Sequence, residues 1–185
     1  MPLNSNNQQV NQIYTKEDAY QSLEMINTWI SNIDTKVSFA LALVGVIIGF
    51  VMEMGMPASI QKVCELSDDT KLTCIDIISV IIVLLLYMVS FLSIICFLLA
   101  IIARVKNLNH TKSIFFFGSI GKMSFPNYKD RVKQLTEQEI IEDLEEQIHT
   151  NSQICIQKVK WYGIGINFLV ATIVIWFICM LFRLI

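Results

Sequence analysis

The sequence predicts an all-α membrane protein, with three transmembrane helices of which the first and third extend into a cytosolic helical bundle. Three observations predict it. Three apolar runs are long enough to cross a bilayer. Amphipathic stretches lead directly into the first and third of them. Alternating β pattern is missing, apart from a short extended piece expected at Ser113–Phe117.

Composition narrows the class. The chain has 185 residues, 54% hydrophobic and 16% charged, with a mean hydropathy of +0.56. A soluble domain averages about 45–50% apolar and about 25% charged residues. These values exclude a disordered chain, a disulfide miniprotein and a basic nucleic-acid-binding domain. A net charge of −2 gives no overall attraction to phosphate backbones, so no nucleic-acid partner is expected.

The elements follow in order. Residues 1–14 form an Asn/Gln-rich tail, expected to be disordered. Residues 15–36 form an amphipathic helix whose stripe is Leu23, Ile26, Ile30, Ile33 and Val37. It continues into a first span at 37–56. An outer loop covers 57–74, a second span 75–103, a cytosolic sensing region 104–160 and a third span 161–184. Within 104–160 a helix is expected from Pro126 to Leu135. A longer one begins at Thr136, whose spacing to Glu139 is that of a capping box. Its apolar seam reads Ile141, Leu144, Ile148, Ser152, Cys155, Val159 and Tyr162, close to a heptad.

Lys and Arg are concentrated on 104–160, while the loop between the first two spans holds only Lys62 and Lys71. The positive-inside rule then places the N-terminus and 104–160 in the cytoplasm. The location expected is the bacterial inner (plasma) membrane, multi-pass, with its lipids as partners.

Little points to catalysis. The chain has no nucleophile elbow, P-loop, dinucleotide fingerprint or His-Glu-x-x-His. His110 and His149 lie far apart, and His149 on a helix reads as a surface or pocket hydrogen-bonder, so no metal is expected. The acids from Glu137 to Glu146 read as a solvated helix start. Cys64 and Cys74 share the outer loop, where a disulfide and two free thiols are both open readings. Ser38, Ala42, Gly45 and Gly49 form a small-residue stripe on the first span. It packs either against the other spans or against a second subunit of a homo-oligomer. Phe115–Phe117 either plug the base of the bundle or lie in the lipid interface, or one of them stacks on a ligand.

Several pieces together resemble a known family. Asp34-Thr35-Lys36 stands at the mouth of the first span. Ile114–Ile120 reads IFFFGSI, Leu135-Thr136-Glu137 follows, and Glu146–Tyr162 reads EQIHTNSQICIQKVKWY. In this order the pieces resemble the transmembrane effectors of Pycsar antiphage defence, over roughly residues 20–184. The resemblance implies an effector, not an enzyme. It would be activated by a cyclic nucleotide, a cyclic pyrimidine mononucleotide first, made by a companion cyclase. It would then compromise the inner membrane and end the infected cell. No other cofactor is implied.

A cyclic nucleotide needs an amide for its base edge and a cation or main-chain N–H groups for its phosphate. Gln147, Asn151 and Ser152 interrupt the seam, and Lys158 lies further along the same helix. Gly118 and Ser119 offer main-chain N–H groups, and Phe117 a ring. Asp34 and Lys36 either join that set or make a structural ion pair with Lys158 or with lipid headgroups. The alternative role for the polar residues is interhelical hydrogen bonding that fixes register. Two other functions compete with the effector: a constitutive membrane scaffold or partner-docking subunit without nucleotide ligand, and a holin-like toxin controlled by expression.

The orientation is testable by cysteine labelling of intact cells. Ser67→Cys is expected to react with an impermeant maleimide and Ser124→Cys is not. The reverse pattern contradicts the assignment.

Overall fold

Helices make up the fold, and the three long ones share one kind of N-terminal cap. The structure is a computed structural model describing residues 14–55, 57, 60, 61, 63, 73–103 and 113–184. Its elements are α1 (Lys16–Glu53), α2 (Cys74–Ile102), α3 (Phe117–Ile120), α4 (Phe125–Gln134) and α5 (Glu137–Leu181). No strand occurs among the described residues. Ser113–Phe117, expected to be extended, instead makes a turn that enters α3.

The three long helices start the same way, with Thr at the cap and an acid three residues on. Thr15 and Asp18 exchange hydrogen bonds of 2.9 and 3.2 Å between backbone and side chain. Thr73 with Asp76 and Thr136 with Glu139 repeat the arrangement. Each box satisfies N–H groups that have no partner within the helix. Hydrogen bonds from Thr15 and Thr136 hold the Asp18 and Glu139 carboxyls below the ordinary carboxylate range. At the far end of α1, Gly55 has φ +79, the left-handed conformation that commonly ends a helix.

α1, α2 and α5 are each long and apolar enough to cross a membrane. α2, with 29 residues, is about 43 Å long against a hydrocarbon core of about 30 Å. α1 and α5, with 38 and 45 residues, reach about 57 and 67 Å. Both therefore exceed what a bilayer needs. Large apolar side chains such as Phe39, Ile75, Phe91 and Phe177 point outward from them. That surface is unfavourable in water and ordinary against lipid.

The chain divides into two compact units. One takes 29–104 and 154–185. Here the three helices pack along heptad-spaced faces. α1 buries Ile33, Val37, Ala40, Val44, Ile47 and Val51. α2 buries Ser79, Val83, Leu86, Ser90, Ser93, Phe97 and Ala100. Steps of four and three residues keep one face inward on a gently supercoiled helix. α5 comes close to α2 at Gly165, where a Cβ would meet the Phe97 ring at 2.6 Å. Ser93 Oγ donates to the Gly165 carbonyl there, at 3.0 Å. The small residue permits backbone approach, and the hydroxyl exploits it.

One residue of the expected seam is corrected. Val159 is exposed, and Lys158 takes the inward position. Counting by fours and threes from Leu144 gives 148, 151, 155, 158 and 162, which puts the lysine in the core.

The other unit takes 1–28 and 105–153. Its described part is the start of α1, the Ser113 turn, α3, α4 and the start of α5. Its apolar core is small: Ala19, Ile141 and Leu144. Ser113, Ser119, Gln147 and Thr150 are buried beside them, so polar contacts carry much of its specificity.

Candidate functional site

The smaller unit holds a polar cleft built on one turn. Ser113 Oγ accepts the N–H groups of Phe115 and Phe116, both at 3.1 Å. Such a bond gives the backbone an alternative to helix. Asp143 of α5 fixes the same turn, its Oδ2 accepting Ile114 N–H at 2.9 Å. Gln147, one helical turn on, donates to Ser113 Oγ at 3.5 Å. Phe115 sets its ring edge-on to Tyr20 of α1, 5.7 Å between centroids. Backbone placement of 113–116 is thus determined from both α5 and α1.

The turn borders a cleft of about 190 Å³ lined by Ser113, Arg131, Leu135, Glu139, Glu142, Asp143 and Glu146. Arg131 of α4 reaches Glu139 of α5 through Nη1, at 3.2 Å. Its Nε is buried without a hydrogen-bond partner, and so is Asp143 Oδ1. An acceptor and a donor that have lost water and gained nothing in exchange are unusual in a folded chain. An amide or a nucleobase edge carries both kinds of group, a donor for the one and an acceptor for the other. The lining carries four carboxylates and one guanidinium, so the field favours a neutral or cationic edge and disfavours bare phosphate.

The residues expected from sequence fall in both units. Phe117, Gly118, Ser119, Gln147, Asn151 and Ser152 belong to the smaller one, while Asp34, Lys36 and Lys158 belong to the larger. Phe117 is exposed, its ring 4.9 Å from that of Phe116. Beside it, a Cβ on Gly118 would strike the Phe116 ring. Ser119 is buried, and its N–H donates to the Phe116 carbonyl at 3.0 Å. Asn151 donates to Asn27 Oδ1 at 2.8 Å, tying α5 to α1. Ser152 bonds the Ile148 carbonyl of its own helix. The Asn151 and Ser152 contacts have the form of register-fixing bonds, while Gln147 reaches Ser113 in the turn that borders the cleft.

In the larger unit Lys158 is buried, and its Nζ lies 2.5 Å from Asp34 Oδ1 and 3.3 Å from the Ile101 carbonyl. Asp34 therefore makes the structural ion pair that was one of its two expected roles. Lys36 is exposed. Ser38, Ala42, Gly45 and Gly49 all lie on the exposed face of α1. A Cβ at either glycine would meet nothing within 4 Å, so the stripe is not packing against the chain's own spans.

Cys74 is exposed with a free thiol at the start of α2, and Cys64 lies outside the described residues, as do the tail 1–13, most of the outer loop and His110. His149 is exposed beside Gln153. Among the described residues no group of three or more His, Cys, Asp or Glu is placed to hold a metal.

Sequence reading missed Asp143, Arg131 and Ser113. A signal existed for the first: Asp143 stands four residues before Gln147 on the inward side of α5.

Residues 18–185 match the Pycsar effector protein domain. The chain is also 32% identical to the Pycsar effector protein GmPycTM of Gulbenkiania mobilis, covering 88% of this chain and 90% of that protein. No solved structure matches it. The domain takes in the five helices named above save the first two residues of α1, and the chain belongs to the Pycsar effector family.

Proposed function

We propose that this membrane protein is an antiphage defence effector that senses a cyclic nucleotide and impairs inner-membrane integrity. The signal comes from a companion cyclase, and the protein itself performs no catalysis. The observation that carries the reading is the cleft, with its unpartnered Asp143 Oδ1 and Arg131 Nε. A pyrimidine edge carries the donor that Asp143 Oδ1 lacks and the acceptor that Arg131 Nε lacks. The four carboxylates keep the phosphate at the rim. The smaller unit lies on the cytoplasmic side, where such a signal is made.

Thermal shift of the full-length protein in detergent, against a panel of cyclic mononucleotides, tests the reading. A cyclic pyrimidine mononucleotide is expected to stabilise it. Asp143→Asn and Arg131→Gln are each expected to weaken binding roughly 5- to 150-fold, the equivalent of about 1–3 kcal/mol for a lost buried hydrogen bond. No shift with any cyclic nucleotide contradicts the reading. That result favours the partner-docking alternative, which the exposed rings of Phe117 and Phe125 support.

Three close-packed helices leave no room for a water path, so damage requires either several copies or a disordered bilayer around them. The outward stripe on α1 offers the surface. Small residues let helices approach closely in lipid, where no hydrophobic force drives them together. Gly45→Leu and Gly49→Leu are accommodated within one chain, since nothing stands within 4 Å. They are expected to reduce nucleotide-triggered dye release from liposomes and to leave nucleotide binding unchanged. Full release from the double variant would remove the stripe from the assembly.

A further inference from the structure

We propose that Lys158, Asp34 and the Ile101 carbonyl form a clasp that holds the three spans in the resting arrangement, and that its rupture is the activating step. The proposal rests on the reading of the protein as a triggered membrane effector.

Lys158 occupies a heptad core position of α5, with its side chain 6% exposed. It is packed among apolar neighbours on the same helix: Cys155, Trp161 and Tyr162 all join the cluster built on Ile33 and Val37. An ammonium buried there is strongly unfavourable without a partner. The partner is Asp34 of α1, at 2.5 Å. A second bond runs to the Ile101 carbonyl, at 3.3 Å. Ile101 is the penultimate residue of α2, and its carbonyl is one of the last four, which no N–H of their own helix can reach. One side chain therefore ties α1, α2 and α5 together.

The clasp is conditional, unlike the contacts around it. An aliphatic residue at 158 would hold the helices whatever their environment. A buried charge holds them only while its counter-ion is in place, and is strongly unfavourable once the counter-ion is gone. Asp34 keeps 44% of its side chain exposed, so the pair is open on the aspartate's side while the lysine stays enclosed. The pair lies near the start of its unit on both helices. Asp34 stands six residues beyond Thr28, and Lys158 five beyond Gln153. Both helices are unbroken across those positions, so a slide or turn of α1 against α5 acts on the clasp directly.

The test uses full-length protein in anionic phospholipid liposomes without nucleotide. Two rates are read: dye release, and alkylation of Cys155 by a water-soluble maleimide, followed by peptide mass spectrometry. Cys155 is partly buried one turn before Lys158, so its reactivity reports opening without reference to membrane damage. Asp34→Ala is expected to raise both rates at least tenfold. Adding Lys158→Met removes the unpaired charge while keeping the chain length, and is expected to return both rates to near wild type. If Asp34→Ala does not fold, Asp34→Asn replaces it, with a smaller rise expected. Wild-type rates in a folded Asp34 variant overturn the proposal, and so does a double variant as open as the single. Faster alkylation without dye release, in a protein that no nucleotide makes leaky, overturns the membrane-damage reading and leaves the clasp standing. Faster alkylation without dye release, where nucleotide does trigger release from wild type, overturns the clasp as the activating step.

Discussion

Inside a bilayer no water is available to bond a free backbone N–H or C=O, so a spanning segment satisfies its own. That constraint makes α1, α2 and α5 helices without breaks. Its further consequence here is that α1 and α5 do not stop where the bilayer would. They run on for about 27 and 37 Å beyond a hydrocarbon thickness. Their extensions enter the smaller unit, and that of α5 supplies Glu139, Glu142, Asp143 and Glu146 to the polar cleft.

Lipid also changes what holds the larger unit together. Burial of apolar surface drives little association when the surroundings are equally apolar. The close approach at Gly165, the Ser93 bond to its carbonyl and the Lys158 clasp therefore matter more than the count of buried Val and Ile. Thr172 and Ser90 add a longer contact at 3.5 Å. Each of these is local and directional, which allows the bundle a definite resting arrangement and definite ways to leave it.

How much of this was legible in the sequence depends on which physics wrote it. The spans and their extensions were readable because long apolar runs and helical stripes are local signals. The Thr136–Glu139 box was readable for the same reason. Thr15 with Asp18 and Thr73 with Asp76 carried the identical spacing and passed unremarked. Lys158 was read on the correct helix but not as a core residue, because Val159 next to it has the polarity a core is expected to have. Register, not polarity, decides the position. The direction of the small-residue stripe was not readable, since an outer face toward lipid and an inner face toward helices are equally apolar. The cleft was the least legible. Acids at a helix start suit the dipole without any further role, and only the packing of α4 and the 113–116 turn against α5 brings Asp143 and Arg131 to one cleft.

The central claim is that a polar unit receives a signal and an apolar unit acts on it through unbroken helices. Inserting a Gly-Gly pair after Thr28 and another after Gln153 interrupts both helices and leaves every residue of the cleft in place. Glycine weakens a helix interior by about 1 kcal/mol per residue, enough to make each joint flexible. The account predicts nucleotide binding within about twofold of wild type, since the lost stabilisation is remote from the cleft, together with loss of nucleotide-triggered dye release. Wild-type release from the doubly interrupted protein would contradict it.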